Sequence, residues 1–199
     1  MTLIFSTGIK FFFLFAPFFV VSMFLALTKN ESVKGRAKIA NRAVFSAVCI
    51  SLVLMFFGDA LFGILGITLD SFKIGAGSLL FLSAVSLVSD GVRNHATGHT
   101  ESKDDVAVVP LAIPTIIGPA TIGAILVIGA ELHGVDLAYG IAGMLLALMA
   151  LLALLHVSVR IEKVLGRTGL NILSKITGLI LAAMAAQLVF SGIKSFLEL

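Results

Sequence analysis

The 199-residue chain has no tryptophan, one tyrosine, one cysteine and four prolines, and only 13% of its residues are charged. Each scarcity excludes something. A lone thiol forms no internal disulfide, and Cys49, set inside an apolar run, reads as a small buried hydrophobe. Without tryptophan, and with Tyr139 alone, the aromatic belts that mark membrane interfaces are weak. A soluble domain is about one-quarter charged, so this chain has too little charge to coat a water-soluble globule. Its longest polar stretch, Ser89 to Asp105, is too short to fold alone. Nucleophile-elbow, zinc-protease and P-loop patterns are all missing, so the chain is expected not to be an enzyme and to hold no cofactor.

Apolar residues fill the gap. They make up 59% of the chain, and mean hydropathy is +1.13. That much apolar surface needs the bilayer as its solvent. The reading is an all-α membrane protein, a single transmembrane domain over 1–199, with spans at 4–28, 43–66, 71–89, 106–130, 137–158 and 174–196. The third core, Ile74 to Val88, is short and needs Lys73 to snorkel toward the interface. The net charge of +3 speaks for topology rather than for nucleic acid. Eleven of the fourteen Lys and Arg fall in the loops 29–42, 90–105 and 159–175, and Lys10, Lys73 and Lys194 fall on the other side. The positive-inside rule then puts those loops in the cytoplasm and both termini outside it. A cleaved signal peptide at the start would reverse that, so the first run is read as a true span.

A shift of 102 residues superposes Pro17 on Pro119, Lys73-Ile74 on Lys175-Ile176, Ala84 on Ala186 and Ser89 on Ser191. The expectation is two three-span repeats, 1–95 and 103–199, joined by a cytoplasmic linker at about 90–105. Odd-numbered repeats insert in opposite senses, an inverted arrangement common among transporters. All four prolines, Pro17, Pro110, Pro114 and Pro119, lie in the first span of each half. Proline removes an amide donor and clashes with the carbonyl four residues back, so both spans should break. A helix that restarts at mid-membrane offers amides to a carboxylate, and one that stops there offers carbonyls to an ammonium group. Together they suit a zwitterion such as an amino acid. The structural alternative is a pair of kinked helices facing lipid.

The candidate site gathers the residues around the breaks: Ala16, Pro17, Phe18, Phe19 and Ser22 in the first, with Pro114, Thr115, Gly118, Pro119, Ala120 and Thr121 in the fourth. The Ser22, Thr115 and Thr121 hydroxyls either touch a ligand or satisfy freed backbone groups. Asp59 in the second span is the candidate for carrying a coupling proton, unless it sits at the interface beside Gly58. Gln187 is read as packing against a neighbouring helix rather than lining a cavity. Gly75-Ala76-Gly77-Ser78 gives the third span a small face for close packing. His95 and His99 sit in a polar loop and read as solvated, not as metal ligands.

Three blocks carry a resemblance: Val108-Val109-Pro110-Leu111-Ala112-Ile113-Pro114 leading to Gly118-Pro119 and Ile122; Phe57-Gly58-Asp59 leading to Phe72-Lys73-Ile74; and Gly178-Leu179-Ile180-Leu181 with Gln187 and Ser191-Gly192-Ile193. The chain resembles the MarC family of integral membrane proteins along essentially its whole length. The resemblance implies a bacterial inner-membrane protein. It also implies kinship with the small neutral amino acid transporters of the glycine and alanine type that the family includes; a proton or sodium gradient is the candidate driving force, which the sequence does not assign. One departure stands out. The family's first helix usually carries Asn or Asp before the proline and Gly two residues after it, where this chain has Ala16 and Phe19. The expected function is a secondary transporter of a small neutral solute, with a passive channel or a non-transporting scaffold as the alternatives.

Overall fold

A computed structural model describes residues 2–89 and 107–197. The linker at 90–105, with His95 and His99, lies outside the described residues. Among the described residues there are helices and no strands. In order they are α1 (Thr2–Leu14), α2 (Pro17–Leu27), α3 (Val33–Leu65), α4 (Leu69–Ser89), a π-helix π1 (Ala107–Ile116), α5 (Pro119–Glu131) and α6 (Val135–Phe196).

Three of these helices are long and apolar enough to cross a membrane: α3 over Val33–Gly58, α4 and α6. The pair α1 and α2, bent by 44°, makes a fourth when counted as one span. The 62 residues of α6 would reach about 93 Å as one rod, some three times the ~30 Å hydrocarbon core. It is not one rod: Gly166, at φ 65 and ψ 175, interrupts it between 135–165 and 167–196. The second span was expected to start at 43, yet α3 starts at Val33 and takes in Lys34, Arg36, Lys38 and Arg42. Likewise, the basic stretch 159–175 is helical apart from Gly166. Lys and Arg are good helix formers, so hydropathy marks where apolarity ends, not where the helix ends.

Short-range chemistry sets the element ends. Ser32 caps α3, its Oγ accepting the Gly35 amide at 3.1 Å. Gly66 closes that helix in the left-handed region at φ 63, which glycine adopts without a Cβ penalty. The Thr68 Oγ1 accepts the Ser71 amide at 3.2 Å where α4 begins, and Asp70 in the first turn favours the helix dipole. At the end of α2, Arg36 reaches back from α3 and donates to Thr28 O at 3.0 Å and Lys29 O at 3.2 Å. A cation at a helix C-terminus satisfies orphan carbonyls and complements the dipole.

Packing runs almost wholly between the N-terminal segment 2–89 and the C-terminal segment 107–197. α1 and α2 lie on α6, π1 and α5 on α3, and α4 on both α5 and α6. Glycines make the approaches possible. A Cβ on Gly129 would meet Met55 O at 2.5 Å, one on Gly58 would meet Leu126 O at 2.8 Å, and one on Gly143 would meet Ile4 O at 2.8 Å. α4 and the end of α6 run antiparallel, with Gly192 against Asp70, Gly77 against Ala185 and Gly178 against Ala84. Half of the expected small face of α4 is used: Gly77 and Ala76 are buried, while Gly75 and Ser78 are exposed. Cys49 and Gln187 depart from expectation, since both are exposed on their helices. An apolar helix in lipid has two apolar faces, so apolarity alone does not say which face is buried.

Gly129→Ala is expected to destabilise the protein by about 1–3 kcal/mol, because the added carbon meets backbone rather than a movable side chain. Gly63, with nothing within 4 Å of a Cβ, should accept alanine without loss. Thermal unfolding of the two variants in the same detergent checks the contrast.

Candidate functional site

Both proline-bearing runs break, and the chain shows how. Pro17 has no amide to give Phe13, whose carbonyl instead takes the Ala16 N–H at 2.9 Å. Ala16 then turns to φ 45, ψ 60, the one non-glycine residue with positive φ among those described. From there α2 restarts, with Val20 N bonded to Ala16 O at 3.0 Å. In the second break, π1 carries Pro110 and Pro114 and ends on a wide turn, Ile117 N to Ala112 O at 2.9 Å. π-helical turns are rare and cluster at functional sites. Gly118 is extended at φ −82, ψ 172, and α5 restarts at Pro119, with Ile122 N bonded to Gly118 O at 2.9 Å. Proline suits the first helical position, where an amide would have no intrahelical partner.

The two restarts, Pro17 and Pro119, are 102 residues apart, and so are the starts of α3 and α6 at Val33 and Val135. Phe15, Ala16, Phe19 and Val20 from one break share a continuous buried apolar cluster with Ile116, Ile117 and Ala120 from the other. α2 also touches π1 directly.

The polar inventory is thin. The Ser22 hydroxyl donates to Phe18 O at 3.0 Å within its own helix. Thr121 is buried and Thr115 half-buried. Phe11, Phe15 and Phe19 are buried and Phe18 half-buried, with Phe11 and Phe15 stacked at 6.0 Å. Pro17 and Ala120 are buried, Gly118 is half-buried and Pro119 is exposed. The polar groups at the two breaks are therefore chiefly backbone: the first-turn amides of α2 and α5 and the last carbonyls of α1 and π1. Asp59 lies on α3 next to Gly58, whose backbone meets Leu126 of α5. No three His, Cys, Asp or Glu among the described residues gather as a metal site.

One polar feature was not singled out in the sequence. Lys73 was expected to snorkel, but its side chain is only 12% exposed, and its Nζ lies 2.8 Å from Glu131 Oε1 at the end of α5 and 3.7 Å from Asp70 Oδ1. The available signal was Glu131 itself, an acid closing an otherwise uncharged apolar helix.

These features define an all-helical integral membrane protein with two helix interruptions. The MarC family integral membrane protein profile matches residues 1–197, and the chain belongs to that family. It is 35% identical to a UPF0056 membrane protein of Methanocaldococcus jannaschii, over 91% of each chain. It is 32% identical to one of Aquifex aeolicus, over 92% of this chain and 88% of that one. It is 30% identical to UPF0056 membrane protein YhcE of Escherichia coli, over 89% of this chain and 86% of that one. No solved structure matches the chain.

An alanine in the left-handed region is strained by about 1–2 kcal/mol, and Ala16 is buried, so solvent does not relieve it. Ala16→Gly should therefore raise stability by about 0.5–1 kcal/mol once glycine's extra chain entropy is set against the relief. The thermal unfolding midpoint reads this out, and a lower midpoint would contradict the strain.

Proposed function

We propose that the protein is a secondary transporter of a small neutral solute, a neutral amino acid such as glycine or alanine being the class that fits. The observation that carries the reading is the pair of helix restarts at Pro17 and Pro119, 102 residues apart and joined in one buried cluster. Broken spans in corresponding positions are the strongest sequence-level pointer to a transporter's binding site. Amides at the two restarts suit a carboxylate, and carbonyls at the two stops suit an ammonium group. The side chains clustered around the breaks are apolar, which fits a solute without a charged side chain.

The architecture that accompanies this reading has six spans in two inverted halves. α1 with α2, α3 and α4 form one half; π1 with α5 and the two parts of α6 form the other. The shared 102-residue spacing of helix starts and the break at Gly166 support it. The basic residues at 29–42 and 159–175 face the cytoplasm, which sets both termini outside, in the inner (plasma) membrane. Asp59 stands as the proton-coupling candidate. Because the two halves interleave, the bodies that move are not the halves themselves. The α1–α2–α6 group and the π1–α5–α3 group each draw on both, and alternating access is the motion of one mixed group past the other.

Purified protein in proteoliposomes should take up labelled glycine or alanine in a saturable, counterflow-competent way, driven by a proton or sodium gradient. Non-saturable flux without counterflow would mark a channel instead. No uptake above empty liposomes across a panel of small amino acids, with folded protein, would remove the amino acid reading. Pro119→Leu should lower uptake about tenfold or more, since it supplies an amide donor and lets the helix run toward continuity. Normal uptake by that variant would move the site elsewhere. A reporter fused after Leu199 should prove extracytoplasmic.

A further inference from the structure

Hydroxyls in this chain's helices follow one pattern. Ser22, Thr28, Ser78, Ser83, Ser174 and Thr177 each donate to the carbonyl four residues back, at 2.7–3.0 Å. That bond satisfies a hydroxyl where water is scarce. Thr121 departs from it. It is the third residue of α5, and the residue four back, Ile117, lies across the extended turn at Gly118. No helical carbonyl stands behind it. Thr121 is only 7% exposed, and its hydroxyl has no hydrogen bond among the described residues. Side chains tilt toward the N-terminus of their helix, so this hydroxyl leans into the break. The Ala120 and Thr121 amides beside it belong to the first turn, where an α-helix leaves amides without an intrahelical partner. Nine of the thirteen residues of α5 are buried, so the positive end of its dipole acts inside protein, where water screens it little. The first break differs at the same place. Under the 102-residue shift, Thr121 falls on Phe19 and Ala120 on Phe18. A phenyl ring donates no hydrogen bond, and the next hydroxyl along α2, Ser22, is committed to Phe18 O.

We infer that the start of α5 is a carboxylate subsite, in which the Ala120 and Thr121 amides and the Thr121 hydroxyl all donate to the carboxylate oxygens. Of the two restarts, this one holds the acid end of the solute. The ammonium end points to the first break, toward the carbonyls that close α1. Thr121 is then the side chain that sets the direction of the solute and separates carboxylates from neutral amides of the same size. The assignment rests on the reading of the two breaks as the solute site and adds the orientation in which the solute lies.

Binding and transport are read separately. In detergent, the thermal unfolding midpoint of the full chain is titrated with glycine and with glycinamide. Glycine should raise it, and glycinamide, which has no carboxylate, should not. Thr121→Val or Thr121→Ala should weaken the apparent Kd for glycine about tenfold or more, while Thr121→Ser, which keeps the hydroxyl, preserves it. Thr177→Val makes the same exchange at a buried threonine of α6 and should leave the Kd unchanged. No response to glycine, equal responses to glycine and glycinamide, or a Thr121→Val chain that binds glycine like its parent each overturn the subsite. Uptake into proteoliposomes then separates the two readings. Saturable glycine uptake with the same KM in Thr121→Val and its parent removes the subsite and leaves the transporter. A glycine response that depends on the Thr121 hydroxyl, without any uptake, leaves the subsite and removes the transporter.

Discussion

Close packing between the two segments of the chain holds everything else in place. In lipid there is no hydrophobic drive to bring helices together, so association depends on van der Waals fit and on backbones that approach closely. Here the approaches at Gly58, Gly129, Gly143, Gly77, Gly178 and Gly192 all join a helix before residue 89 to one after residue 107. α3 meets α5, α1 meets α6, and α4 lies between α5 and α6. Neither segment keeps a core to itself. The breaks at Ala16 and Gly118 persist because this packing surrounds them, since unpaired backbone at membrane depth is tolerable only inside protein or beside a cavity.

That constraint shapes the chemistry on offer. The walls around the first break are phenylalanine and aliphatic, and the Ser22 hydroxyl is committed to its own helix. The polar groups there are main-chain ones, which are fixed in direction and insensitive to side-chain substitution. The second break adds Thr115 and Thr121 beside an extended Gly118. The two breaks are alike in placement and unlike in lining, as a site binding the two ends of an asymmetric solute would need to be.

Much of this was legible in residues alone. Proline has one backbone preference and no amide, so Pro17 and Pro119 announced both restarts, and their spacing reappears in the helix starts. Gly77, in the small face of the third span, signalled close approach, though not to which helix. Other features depend on three-dimensional neighbours. Ala16 has no intrinsic preference for the left-handed region, and the packing that buries it and its neighbours holds it there. The burial of Lys73 depends on Glu131, 58 residues away, and hydropathy sees only that a lysine sits near a span's end. The exposure of Cys49 escaped because lipid-facing and core-facing positions are equally apolar. The interleaving of the segments escaped for a similar reason, since a shift that reveals a repeat says nothing of which copy packs on which.

The interleaving also bears on how such a chain is made. Synthesis is vectorial, so α1 to α4 leave the ribosome before any of their main partners exists. At ~5–20 residues per second, the interval between residue 89 and residue 197 is roughly 5–20 s. Throughout it, the glycine notches of the early helices face acyl chains or the insertion machinery. Nearly all packing between helices is long-range in sequence, so native tertiary structure arrives late, when the last helix packs against α4. A nascent chain of this design is most exposed to quality-control proteases at the moment it is nearly complete.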